Sequence, residues 1–206
     1  MIQEKLHGSC CRLSYAKTEA NTFWKKVLKF FKRLPAYEYC YGSNNVQLQH
    51  KDGKKGYYGA DVYGAVLKKV DAFNRIRQGE TVYGEIIGEG IQKNYHYGHK
   101  GEHHFVIYDV KTEKEDGSQE FMDPQEVEHY ARARGFDFVP VLWTGVFDKD
   151  KAYELTKGPS VYCPSQKVRE GVFIKLIHNY GQNGSKQALK WISEDYLDDK
   201  TNSDYQ

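Results

Sequence analysis

A lysine at position 5 is followed within three residues by His7 and Gly8, in Glu4-Lys5-Leu6-His7-Gly8-Ser9. A lysine amine is a nucleophile only when neutral, so a lysine with a chemical task needs burial or nearby cations to lower its pKa. Two carboxylates beside glycines are candidate partners: Glu85 in Tyr83-Gly84-Glu85, and Glu170 in Arg169-Glu170-Gly171. A carboxylate exposed at a strand start can orient a divalent metal, and magnesium suits such a place because it binds through one or two carboxylates plus phosphates. The plain alternative for Glu170 is a surface salt bridge, with Arg169 beside it. His7 could donate to a phosphate oxygen or hold the lysine's loop by bonding backbone. His103 and His104 diverge as strand neighbours and lack a third ligand, so no metal role is assigned to them. Each of these motifs is weak by itself, and a lysine beside His and Gly is more often a surface turn.

The elements that must position these residues can be read from periodicity. Cys10 to Ala16 alternates like a strand, and residues 22–33 place Phe23, Trp24, Val27, Leu28 and Phe31 at helical spacing against a lysine-rich face, with Asn21 or Thr22 as cap. Tyr37 to His50 reads as a strand, Ala60 to Phe73 as a helix, and Thr81 to Gly88 and His103 to Val110 as two strands. The Gly- and Tyr-rich connection over 88–102 is long enough to be functional or mobile. Asp123-Pro124-Gln125-Glu126 predicts a capped helix that Gly135 ends. Phe138 to Trp143 reads as a strand, Asp148 to Leu155 as a short helix, and Arg169 to Ile177 as a further strand. Without a regular βαβ rhythm, the expected class is α+β, with mainly antiparallel sheets flanked by helices.

Composition bounds the rest. The 206 residues suit one domain, and a formal charge of +2 gives no overall argument for nucleic acid. No apolar run approaches the roughly 20 residues of a membrane span, so a soluble, cytoplasmic protein is expected, most simply a monomer. Cys10, Cys11, Cys40 and Cys163 form no C-x-x-C pair, so no structural zinc is expected.

Order gives the weak motifs weight. Lys5-Leu6-His7-Gly8, Tyr83-Gly84-Glu85, Phe105-Val106-Ile107-Tyr108-Asp109, Glu170-Gly171-Val172-Phe173-Ile174-Lys175 and Leu189-Lys190-Trp191-Ile192-Ser193 resemble, in this order, motifs I, III, IIIa, IV and V of the covalent nucleotidyltransferase superfamily of ligases and capping enzymes. His7 where an aspartate is usual in DNA ligases and capping enzymes, and Gly-Ile-Gln at 90–92, look like the RNA ligase 2-like branch. Val139-Pro140-Val141-Leu142 and the ending over 189–197 are similar to its Deinococcus-type subfamily.

The resemblance implies an ATP-dependent RNA ligase with a nucleotidyltransferase, ATP-grasp-like ligase domain over 1–197 and a disordered polar tail over 198–206. Lys5 would take AMP from ATP, pass it to an RNA 5′-phosphate, and a 3′-hydroxyl would then displace it; the partners are RNA ends. Lys5, Lys190 and Glu170 would be catalytic, with Mg2+ on Glu170. Glu4, His7, Gly8, Glu85, Phe105 and Lys175 would bind the nucleotide, Glu85 through the ribose and Phe105 by stacking on adenine. Lys175 and Lys190 are the cations expected to lower the pKa of Lys5 and to balance the α-phosphate charge.

Two departures stand out. Only four residues precede the nucleophile, where relatives have a strand and a further domain, so the chain is expected to be N-terminally truncated. Near motif Ia, Ser43 and Asn44 stand where many relatives place an arginine for the RNA 5′-phosphate, and neither carries charge. The alternatives are a catalytically impaired RNA-binding remnant of such a ligase and a capping-type guanylyltransferase.

Overall fold

The computed structural model describes residues 1–19, 23–30, 34–43, 46–48, 61–181 and 185–198. The chain starts in β1 (Ile2–Lys5), turns through Leu6-His7-Gly8, and enters β2 (Ser9–Lys17). These two strands belong to different sheets, so Lys5 and Gly8 lie at a crossing between layers.

The smaller sheet runs β11 (Ala188–Ile192), β10 (Gly171–Lys175), β1, β9 (Val141–Trp143). All its pairings are antiparallel, with Gln3 opposite Phe173 and Phe173 opposite Lys190. Opposed residues share a face, so Gln3, Lys5, Phe173, Lys175 and Lys190 project to one side. The other side buries Ile2 and Val172 against Ala152 of α5 (Lys149–Glu154).

The larger sheet runs β4 (Gln47–Leu48), β3 (Tyr37–Gly42), β2, β5 (Glu80–Gly88), β6 (His103–Glu113), β7 (Gln119–Phe121), and β8 (Asp137–Phe138) joins β6 in parallel. Its helix-covered face carries Cys11, Leu13, Val82, Ile86, Phe105 and Ile107, packed with α2 (Val62–Lys69) and α4 (Pro124–Arg134). Its other face carries Cys10, Glu85 and Val106 toward the smaller sheet. Leu6, Ile87, Val106 and Val139 join the two layers in a second core with Tyr95, Tyr97 and Tyr196.

The α+β class and the antiparallel sheets agree with the sequence, and differences fall where a local cue cuts an element. The expected strand over 138–143 is two: β8 lies in the larger sheet and β9 in the smaller, with Val139 and Pro140 between. Proline lacks the N–H that a ladder needs, and the carbonyl of Pro140 instead accepts from the Glu4 N–H at 2.9 Å. The expected helix over 60–73 is α2 followed by the single turn α3 (Ala72–Arg75), because Asp71 adopts a left-handed φ of 54°. The strand expected over 37–50 is the hairpin β3–β4, with Tyr41 opposite Leu48; residues 49 and 50 lie outside the described residues. The basic helix is α1 (Phe23–Phe30), and its expected cap, Asn21 or Thr22, also lies outside them. The capping box at Asp123 and Glu126 and the left-handed Gly135 form as read. The last element, α6 (Glu194–Asp198), takes in the first residue of the expected tail. The four cysteines are unpaired. Among the described residues, no helix is long and apolar enough to cross a membrane.

Candidate active site

The two inner faces enclose a cavity of about 330 Å³ beside the β1–β2 crossing, a size suited to a small-molecule ligand. Lys5 lies at its wall, with Nζ 2.5 Å from Glu170 Oε1. Burial pushes the Glu170 carboxyl up, but the histidine ring of His7 and the charge of Lys5 together hold it below the usual carboxylate range. The second oxygen, Oε2, is buried without a hydrogen-bond partner, and His7 Nδ1 stands 3.5 Å from it.

The turn between Lys5 and β2 is fixed from below. A Cβ on Gly8 would stand 2.3 Å from the Ile86 carbonyl oxygen, so only glycine lets the turn lie against β5. The His7 N–H donates to Tyr97 Oη at 2.7 Å, and Gln92 Nε2 donates to the Gly8 carbonyl at 2.9 Å. The His7 ring packs edge-on against Tyr95 and Tyr196, at 4.8 and 5.3 Å between centroids. Tyr95 and Tyr97 of the long Gly- and Tyr-rich connection are therefore buried supports of this turn.

Glu85 lines the cavity next to Lys5. Burial raises its carboxyl to about 8; the Lys5 charge opposes the rise, Glu170 adds to it, and a backbone hydrogen bond from Gly8 opposes it. At neutral pH most of its molecules are the neutral acid. Across the cavity, Asp109 is 2% exposed and organises the cations. It accepts from Lys175 Nζ at 2.8 Å and from the Tyr180 hydroxyl at 3.2 Å, and it pairs with Lys186 Nζ at 2.6 Å. Burial lowers the Lys175 pKa, with Asp109 pulling it back up and Lys186 lowering it further.

Most of the residues singled out in the sequence meet here. Lys5, Glu4, Glu85 and Lys175 line the cavity, and Glu170, His7 and Gly8 hold its lysine-bearing edge. Glu4 is 1% exposed, and its Oε2 accepts from the N–H groups of Val161 and Tyr162 at 2.8 and 3.1 Å.

Others do not. Phe105 is 2% exposed and packs in the helix-side core, edge-on to Phe136 and against Gly84, whose added Cβ would meet its ring at 2.5 Å. The strand alternation sends it away from the cavity, and the aromatic residues that do line it are Tyr108, Phe173 and Tyr180. Lys190 is exposed and shares the Gln3–Phe173 face, but it stands outside the cavity lining; Lys186 supplies the second cation there. Ser43 is likewise outside the lining, its Oγ accepting from the Val46 N–H at 3.3 Å, and Asn44 lies outside the described residues. His104 stacks on His99 at 3.6 Å, and among the described residues no group of three His, Cys, Asp or Glu side chains could hold a metal.

Sequence reasoning missed Gln3, Asp109, Lys186 and Tyr97. Gln3 is 1% exposed, lines the cavity, and leaves both amide atoms without a partner. Its position two residues before Lys5 in a strand, hence on the same face, was the one available signal.

Two sheets thus close on a lysine at their crossing, with buried carboxylates on one side and paired cations on the other. The family model described as RNA ligase matches residues 1–192, and the chain belongs to that family. No curated protein matches the chain. Among solved structures, a Naegleria gruberi RNA ligase variant with ATP and Mn is similar at a TM-score of 0.69 and 18% identity, covering 98% of this chain and 51% of that one. Another variant, with AMP and Mn, gives 0.67 and 18% identity over 95% and 50%, and the same enzyme with PPi gives 0.65 and 17% over 95% and 50%. At these identities the likeness is one of fold. The chain spans about half the length of these structures.

Proposed function

We propose that the chain is the AMP-accepting domain of an ATP-dependent RNA ligase, with Lys5 as the nucleophile. The observation that carries this is the position of Lys5: its amine sits at the edge of a nucleotide-sized cavity, against buried Glu170 and opposite two cations. Membership of the RNA ligase family, and relatives solved with ATP, AMP and pyrophosphate, support the same chemistry.

In this mechanism Lys5 passes a proton to the Glu170 carboxylate 2.5 Å away, and its neutral amine attacks the α-phosphorus of ATP. A P–N bond forms, the bond to the β-phosphate oxygen breaks, and pyrophosphate leaves. The RNA 5′-phosphate then takes AMP from Lys5, and a 3′-hydroxyl displaces AMP to seal the strand. Lys175 and Lys186 offer positive charge to the phosphates, in the part first assigned to Lys175 and Lys190. Glu85, as a neutral acid, brings no added repulsion beside the triphosphate and can both donate to and accept from ribose hydroxyls. Gln3 offers a donor and an acceptor to the base, and Tyr108, Phe173 and Tyr180 offer it aromatic surface.

Glu170 fits a divalent cation through its orphaned buried Oε2. With no second protein ligand cluster among the described residues, such a cation would complete its shell with phosphate and water oxygens, which suits magnesium. It would neutralise phosphate charge and compete with Lys5 for the carboxylate.

The test is intact-protein mass spectrometry after incubation with ATP and Mg2+, or with GTP in parallel. The expected result is one AMP on the chain, mapped to Lys5 and absent in Lys5→Ala. No adduct would refute the reading, and a GMP adduct in place of AMP would turn it toward capping.

A further inference from the structure

We propose that Tyr97 is a positioning residue for the loading of AMP onto Lys5: its hydroxyl fixes the turn that carries the nucleophile and takes no part in holding the nucleotide. The assignment rests on the ligase reading above, since it presumes that Lys5 is the group to be aimed.

The turn over residues 6–8 joins strands of different sheets, so the ladders stop short of it, and a buried N–H there must find its partner elsewhere. For His7 that partner is Tyr97 Oη at 2.7 Å, a contact across 90 positions of chain. Burial raises the Tyr97 phenol well above its usual range; the His7 N–H opposes the rise, and the carboxylates of Glu4 and Glu170 add to it. The hydroxyl therefore stays neutral and keeps a lone pair for the N–H. The other side of Lys5 is tied in the same region. Glu4 accepts from the N–H groups of Val161 and Tyr162, and the Tyr162 ring meets the Tyr97 ring edge-on at 6.0 Å. Lys5 is thus bracketed on both sides by groups that pack on each other.

Tyr97 holds its place at a conformational cost. Its φ is 48°, in the left-handed region that bulky side chains avoid, and Asn94 and Gly98 nearby are left-handed as well, at 66° and 78°. Such strain persists only where the surroundings over-determine it, and it gathers at functional sites. Here the ring is 3% exposed and lies in the core shared with Leu6, Ile87, Val106 and Val139. Tyr97 does not line the Lys5 cavity, so its influence reaches the reaction through the turn. A turn freed from it lets the Lys5 amine drift from the α-phosphorus, and a misplacement of about 1 Å costs about 100-fold in rate.

The test follows single-turnover AMP loading by intact mass, over a range of ATP concentrations, in wild type, Tyr97→Phe and Tyr130→Phe. Tyr130 is the control, because its hydroxyl also donates or accepts at 2.7 Å, to Glu80, but in the helix-side core. Both variants should melt about 2–4 °C lower. Tyr97→Phe should load AMP roughly 10- to 100-fold more slowly at saturating ATP, with the half-saturating ATP concentration unchanged. Tyr130→Phe should load at the wild-type rate. Should Tyr97→Phe melt too low to assay, 3,5-difluorotyrosine at position 97, which keeps the shape and weakens the acceptor, should show the slower loading instead. Undiminished loading in the folded Tyr97 variant, an equal loss in Tyr130→Phe, or a raised ATP requirement in place of a slower rate would overturn the assignment. Failure of wild type to form lysyl-AMP would instead tell against the ligase reading. Hydrogen exchange at the His7 amide would then still decide on Tyr97: faster exchange is expected in Tyr97→Phe, and unchanged exchange would overturn its hold on the turn.

Discussion

Glu85→Gln should stabilise the chain at alkaline pH and do little in mild acid. The Glu85 carboxyl is raised from 4.5 to about 8, chiefly by burial. Between those values the folded protein holds a proton that the unfolded chain has released, so stability falls as pH rises through the window. Each pH unit across it costs about 1.4 kcal/mol, giving an upper limit of about 5 kcal/mol. Glu85 is only half-buried by exposure, so water screens part of this, and a cost of roughly 2–3 kcal/mol is expected. A glutamine keeps the shape and an acceptor for the Gly8 N–H but never ionises. Urea unfolding of wild type and Glu85→Gln at a series of pH values measures the difference, in which all other titrating groups cancel. The advantage of the glutamine should grow from near zero at about pH 5 to its full value by about pH 9. A difference that does not change with pH would refute the placement of Glu85 as a proton-holding acid.

Gly8→Ala should lower stability by about 1–3 kcal/mol and abolish AMP labelling, because its Cβ would meet the Ile86 carbonyl at 2.3 Å and push the Lys5 turn off β5; full labelling with unchanged melting would contradict this. Asp109→Asn should cost about 3–5 kcal/mol in urea unfolding, since it strands the buried Lys175. Lys186→Met should cost less than about 1 kcal/mol, because that lysine is 36% exposed and strongly solvated; equal losses would mean that Asp109 is held by Lys186. Phe105→Ala should destabilise by about 3–5 kcal/mol as a core cavity while leaving the ATP concentration for half-labelling of folded protein unchanged. A raised ATP requirement would return Phe105 to the nucleotide.

Much of this site was legible because its chemistry is carried by residue type within short runs. Lys5, His7 and Gly8 fall within four residues at the end of β1, and Glu170 and Lys175 fall within six residues around β10, so both segments could be recognised without knowing what faced them. The Asp123 capping box and Gly135 were readable for a similar reason: capping is satisfied within a few residues of chain. Phe105 failed because its orientation depends on which face of β6 is covered by helices, and a strand buried on both faces offers no polar alternation to tell them apart. Lys190 and Lys186 lie four residues apart with the same side chain, Lys190 within β11 and Lys186 just before it, and only the packing of this segment separates the one outside the cavity lining from the one inside. Tyr95 and Tyr97 were read as parts of a long loop, since nothing local marks a loop that folds back beneath the nucleophile.

By itself, the sequence determined the set of chemical groups and the local turns that carry them: the lysine, the carboxylates beside glycines, and the helix caps. Those properties depend on bonded neighbours and on φ/ψ preferences. Only the tertiary structure decided which groups meet. Glu85 and Glu170 share one charged neighbour in Lys5, and Asp109 gathers two lysines, because two sheets pack face to face and bring Lys5 beside Glu170, 165 positions on, and into one cavity with Lys186, 181 positions on. Proton affinity follows from that assembly, since burial and the charges across a cavity set it, and neither is a property of a segment alone.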